Sequence, residues 1–257
     1  MNLAWLLDLW VAAAGLVAGS YLNVVIHRLP RRISTVLPRS RCPHCGAPIH
    51  PWDNVPLISF LLLRGRCRHC RAPIPWRYPL VEAATAALFV GCLMRFGPTP
   101  RALVAAAFGC LLIALAGIDL EHYLLPDGIT LPGLAAGLAI AWFAPWIDFG
   151  SAALGALLGG GGLWLVAELW VLLRHEEGMG LGDAKMLAMV GAFLGWKGVL
   201  VTLLLGSAAG SLVGLAGVAS GRLGMKARLP FGVFLALAAL AALFVGEPLA
   251  DAYGRLL

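Results

Sequence analysis

The chain has 257 residues, of which 60% are hydrophobic and only 12% charged, and its mean hydropathy is +0.86. A water-soluble domain carries about a quarter of its residues as charged groups, so a soluble enzyme, a secreted disulfide scaffold and a disordered chain are excluded, and the sequence reads as a membrane protein. The formal charge of +6 is unevenly placed: between Arg28 and Arg77 the only acid is Asp53, set among many arginines. Retention of Arg-rich loops in the cytoplasm explains that cluster more simply than nucleic-acid binding, so no nucleic-acid partner is expected.

The first apolar run, from about Leu3 to Ile26, lacks a basic start and a small-residue cleavage pattern, and is expected to remain as helix 1. The hydrophilic stretch His27 to Arg77 is the only one long enough for a small domain of its own. Further apolar runs begin near Tyr78, Ala102, Ile129, Ala152, Lys185, Gly198 and Phe231, several separated by turn residues such as Gly97, Pro98, Pro100, Pro145 and Gly221. At about 20 apolar residues per span, the expected fold is an all-α polytopic membrane protein with about eight transmembrane helices. Three parts follow: helix 1 over 1–27, a cytoplasmic four-cysteine loop domain over 28–77 between helices 1 and 2, and a membrane core over 78–257. With that loop inside, both termini lie outside, and the weakest helix boundary falls between Ala188 and Val199. Glycines recur at four-residue spacing (Gly133 and Gly137, Gly155 and Gly159, Gly206, Gly210 and Gly214), as packing devices that let helices approach closely in lipid. The run Gly159 to Gly162 marks a thin or bent section.

Within the basic loop, Cys42-Pro-His-Cys45 and Cys67-Arg-His-Cys70 form two C-x2-C knuckles separated by 21 residues. Four such thiolates match the closed tetrahedral ligand set of a structural zinc, with no open position for catalysis. The alternative, two disulfides, is disfavoured in a reducing cytoplasm. His44 and His69 read as solvent-facing spacers, and Cys92 and Cys110 as buried core thiols.

Acids inside apolar helices are costly and usually functional. Asp119 ends one run, and Asp183 closes Gly178-Met-Gly-Leu-Gly-Asp183 before another; the expected topology puts both at cytoplasmic helix ends, at similar depth. A close pair of carboxylates shares one proton, so one member can activate water while its partner protonates the substrate. Gly178, Gly180 and Gly182 would let a substrate backbone come close. From the residues alone, each Asp fits a helix N-cap or an interfacial acid as well. Asp127, between Pro126 and Gly128, is placed to cap the next helix. Glu82 sits one turn inside a helix opened by Pro79 and needs a partner such as Arg77 or a substrate amine.

Together these segments resemble the bacterial type IV prepilin peptidases, aspartic intramembrane proteases of the GxGD type. The resemblance runs through Gly19-Ser-Tyr-Leu-Asn-Val-Val-Ile-His-Arg-Leu-Pro30, both cysteine pairs, Trp52-Asp-Asn-Val-Pro56, Arg77-Tyr-Pro-Leu-Val-Glu82, Asp119 through Asp127, Gly178 through Lys185, and Leu229-Pro-Phe-Gly-Val-Phe-Leu235. In the last motif Val233 stands where the family often has Pro. The resemblance implies that Asp119 and Asp183 are catalytic, that the substrate is a prepilin or type II secretion pseudopilin cut after a short basic leader, and that the site is the bacterial cytoplasmic (inner) membrane. It also implies methylation of the new amino terminus, commonly Phe, by S-adenosylmethionine, with Asn23, Arg28, Asn54 and Glu82 as candidates near that chemistry. Local acids, including Glu121, Glu176 and Glu177, would receive the basic leader. The competing reading is a proton-coupled transporter using its intramembrane acids, although no repeat between the halves supports it.

Overall fold

The computed structural model describes residues 4–174, 180–222, 224 and 227–254, with no strand among them. The helices are α1 (Ala4–Arg28), α2 (Ile58–Leu62), α3 (Arg77–Phe96), α4 (Pro100–His122), α5 (Asp127–Phe143), α6 (Phe149–Ala156), α7 (Leu163–Arg174), α8 (Leu181–Ala219) and α9 (Phe231–Gly254). A π-helical turn, Leu157–Gly162, joins α6 to α7. Each apolar run found in the sequence lies on helix. Five segments are long and apolar enough to cross a bilayer, with Asp127–Phe143 and Phe231–Gly246 as shorter apolar helices. The chain is thus an all-α, multi-pass membrane protein. It divides into two compact units, Met1–Ala114 and Leu115–Leu257.

In the first unit α1 and α3 run antiparallel at backbone contact. A Cβ at Gly15 would lie 2.7 Å from Ala86 Cα, and one at Gly19 equally close to Glu82 Cα, so only glycine permits this approach, which in lipid replaces the hydrophobic effect as the source of helix affinity. One turn further along, Asn23 Nδ2 donates to the Tyr78 carbonyl at 3.1 Å and to the Gly19 carbonyl at 3.3 Å, tying the two helices by side chain.

The loop between α1 and α3 has almost no core: over 32–76 only Cys42 and Ser59 are buried. Its order comes from polar bonds. Ser59 Oγ donates to the Trp52 carbonyl at 2.8 Å and accepts the Val55 N–H at 3.0 Å. Asp53, the lone acid, accepts from Arg68 Nε at 2.9 and 3.0 Å, and that guanidinium holds its carboxyl below the usual range.

In the second unit the glycines predicted as packing devices bring helices onto α8. A Cβ on Gly155 would lie 2.6 Å from the Gly195 carbonyl carbon, and one on Gly159 2.5 Å from the Leu187 carbonyl oxygen. Gly137 packs on Ala192 the same way, at 2.8 Å. The glycine run becomes the wide π turn, where residues of poor helix propensity yield to this close crossing.

The run boundary sought between Ala188 and Val199 is Gly195, whose φ of 69° and ψ of −179° break α8 internally. A Cβ on Gly198 would collide with Leu194 Cβ, whereas positions four apart on a regular helix are about 5–6 Å apart. The chain therefore reverses sharply there, and α8 is two helical legs, 181–194 and 196–219. Trp196 and Lys197, stacked at 6.0 Å, mark the reversal, the residue types that anchor helix ends at a membrane–water interface.

Candidate active site and metal centre

Asp119 lies in the last turn of α4 and is only 5% exposed. Its Oδ2 accepts the Val233 N–H at 3.1 Å, and the Gly232 N–H is also directed at the carboxyl. These amides open α9, so the acid sits at a helix N-terminus, where unpaired N–H groups and the helix dipole stabilise a carboxylate. Asp183 occupies the first turn of α8, after a Gly180 N-cap in extended conformation, and is half-buried. The two carboxyl groups are close enough to interact electrostatically.

Small residues at the starts of α8 and α9 make room for the Leu125 side chain. A Cβ on Gly232 would sit 2.9 Å from Asp119 Oδ2 and 3.0 Å from Leu125, and one on Gly182 would meet Leu125 Cβ at 3.0 Å. The buried Leu125 side chain is thus wedged between the start of α8 and the start of α9. Gly180 remains exposed beside Asp183. The reversal at Gly195 makes this convergence possible. As one straight helix α8 would measure roughly 57 Å, whereas the connector from Ala219 to Phe231 can extend only about 43 Å; α9 could not then have returned to Asp119.

Of the residues predicted from sequence, Asp119, Asp183, Gly180 and Gly182 come together, while Gly178, Glu176 and Glu177 lie outside the described residues. Glu121 contacts His122 at 3.9 Å. Leu125, Gly232 and Val233 were not anticipated as site residues, although Leu125 lies in the Asp119–Asp127 motif and Gly232 and Val233 in the Leu229–Leu235 motif. Asp127 does not cap its helix. The N-cap is Pro126, with no side-chain cap bond, and Asp127 instead binds Lys185 Nζ through both oxygens, at 2.7 and 2.9 Å. The pair joins the starts of α5 and α8. Because it is partly exposed, Lys185→Met is expected to cost about 1 kcal/mol or less in thermal unfolding. Catalytic turnover should fall more than that stability loss implies, and exchanging the two charges should restore most of it.

In the first unit the four loop cysteines converge. Their Sγ atoms lie within 4.8 Å of one another, with Cys42 and Cys70 at 3.8 Å, matching the edge of about 3.8 Å that zinc–sulfur bonds of ~2.3 Å give in a tetrahedron. None of the four is bonded to another, and all four sulfurs face one common point, the arrangement one metal requires and two separate disulfides do not. The knuckles are near copies, Arg41-Cys-Pro-His-Cys-Gly-Ala-Pro-Ile49 and Arg66-Cys-Arg-His-Cys-Arg-Ala-Pro-Ile74. Equivalent backbone bonds close each, Cys42 N–H to Ala47 and Cys67 N–H to Ala72, both at 2.9 Å. The matching turn residues, Gly46 and Arg71, take φ of 70° and 60°. The N–H groups of Cys70 and His69 are aimed at Cys67 and pull its thiol down. At Cys70 the Ala72 N–H is outweighed by burial and the neighbouring thiols, which push that thiol up, so the crowded sulfurs share their protons until a metal takes their place. His44 and His69 are exposed, as expected of spacers.

Glu82, on α3, is buried. Its Oε2 accepts the Leu57 N–H at 2.8 Å, and Ser20 supplies a further hydrogen bond, so the partner met here is a loop amide and a hydroxyl.

The sequence matches known proteins along most of its length. Residues 13–96 match the bacterial peptidase A24 N-terminal domain and residues 106–215 the type IV leader peptidase family. A prepilin leader peptidase/N-methyltransferase of Burkholderia pseudomallei (strain 1026b) is 43% identical over 259 residues, covering 91% of this chain and 84% of the relative. Proteins of the same name from Aeromonas hydrophila (40% identical, 98% of this chain and 95% of the relative) and Pseudomonas aeruginosa (39%, 93% and 90%) align comparably. No solved structure matches the chain. The transporter reading finds no support in these matches. Two family domains in succession, and relatives of about 40% identity along nearly the whole length, place the chain in the type IV leader peptidase family, among the prepilin leader peptidase/N-methyltransferases.

Proposed function

We propose that this protein, in the bacterial cytoplasmic membrane, cuts the leader from a prepilin or pseudopilin at the cytoplasmic face and then methylates the exposed amino terminus. The observation that carries the protease reading is that Leu125 packs on both Gly182, next to Asp183, and Gly232, which borders Asp119 Oδ2, so that the two acids belong to one cluster of helix ends. One carboxylate takes a proton from water as that water attacks the scissile carbonyl; the protonated partner donates to the carbonyl oxygen and later to the leaving amine. The Val233 amide orients Asp119, while Gly180, exposed beside Asp183, admits a substrate backbone. Cys42, Cys45, Cys67 and Cys70 hold a zinc ion that folds the loop over 28–77 and, fully ligated, takes no part in bond breaking. The methyl donor is S-adenosylmethionine, which supplies an activated methyl group. The test is incubation of the purified chain, in lipid vesicles, with a prepilin. Release of the leader supports the reading, and an intact precursor in the presence of folded enzyme overturns it.

A further inference from the structure

Two buried polar groups on the α1–α3 interface have no part in the cleavage chemistry. Asn23, 1% exposed, directs Nδ2 at the carbonyls of Gly19 and Tyr78, which leaves Oδ1 as a buried acceptor that meets no donor. About one helical turn away, the Glu82 carboxyl has an amide and a hydroxyl for company; among the described residues no cation is paired with it. The amide comes from a strained turn. Leu57 has φ 56° and ψ −47°, and the Ile58 N–H closes onto the Pro56 carbonyl at 2.6 Å, a positive-φ γ-turn that a non-glycine residue holds only under external constraint. Such strain gathers at ligand sites, and the Asn23 oxygen without a donor, beside a buried carboxyl without a cation, calls for a ligand that brings both. A primary ammonium supplies three N–H donors and a positive charge.

We propose that Glu82 and Asn23 bind the α-ammonium group of the methyl acceptor, the amino terminus that leader cleavage sets free. This rests on the methylation reading above. Asn23 Oδ1 and the Glu82 carboxylate each accept an N–H. Glu82 then takes one proton, baring the nitrogen lone pair. As the N–C bond to a sulfonium methyl group forms, the C–S bond breaks with its electron pair left on sulfur, giving a thioether and a secondary ammonium. An uncut precursor has an amide at this nitrogen and offers no charge, so the site orders the two reactions, cleavage first.

The experiment uses the full chain in phosphatidylcholine nanodiscs and two synthetic mature pilin peptides beginning with Phe, one with a free amine and one acetylated. Wild-type protein is expected to bind the free amine about tenfold more tightly or better, since a charged hydrogen bond is at stake. Glu82→Gln keeps a carbonyl for the Leu57 N–H; it should reduce the preference to about threefold or less while leaving the acetylated peptide's affinity unchanged, which also reports that the variant is folded. Equal binding of the two peptides by wild type, or an undiminished preference in Glu82→Gln, overturns the proposal, and the wild-type comparison decides alone if the variant does not fold. Displacement of the free-amine peptide by added phosphatidylethanolamine would assign the site to a lipid ammonium and also overturn it. A wild-type amine preference without transfer of labelled methyl groups supports the ammonium site and refutes only the methylation reading.

Discussion

A prepilin incubated with Asp119→Asn or Asp183→Asn enzyme is expected to stay uncut, each substitution lowering the cleavage rate by at least about 10³-fold. Asparagine preserves shape and can still accept the Val233 N–H through its side-chain oxygen, so α9 should remain docked at the end of α4. What it lacks is the exchangeable carboxyl proton. Because the two acids act as one device, the double substitution should be scarcely worse than either single one. Leader release in vesicles gives the rate, and matched limited-proteolysis patterns establish that the variants are folded. Full cleavage by either variant would remove that residue from the mechanism.

The second large effect is expected at the loop. Metal analysis of protein purified without chelator should find about one zinc per chain, and Cys42→Ser combined with Cys45→Ser should abolish it. Structural zinc in small peptides contributes about 10–16 kcal/mol of binding free energy at neutral pH. A segment whose only buried residues over 32–76 are Cys42 and Ser59 has no apolar core to replace that. The double variant should therefore expose the loop to added protease, while His44→Ala and His69→Ala keep their metal. Zinc retained in the cysteine variant would overturn the ligand assignment.

What could be read from the sequence depended on how local the determinant is. The cysteine knuckles are legible because each pair lies within one turn, and the apolar runs because a membrane helix is built from consecutive residues. Convergence of Asp119 with Asp183 followed from their shared place at helix ends. The α9 amides on Asp119 were not legible, because the contact joins residues 114 positions apart and depends on how helices cross. Asp127 illustrates competition: its flanking residues favour a cap, and only the fold reveals a lysine 58 positions away that binds it instead. A break between Ala188 and Val199 was legible from Trp196 and Lys197, but which of the glycines there carries the positive φ was not, because several are local candidates.

That glycine has a bearing on the surrounding bilayer. The leg that carries Asp183, 14 residues over 181–194, is about 21 Å long, some 9 Å short of a typical hydrocarbon core. Ala184 and residues 186–192 of this leg are buried, so neighbouring helices and not lipid surround most of it. A helix too short for the hydrocarbon core is thereby enclosed by protein, which spares it the cost of a thickness mismatch with the bilayer.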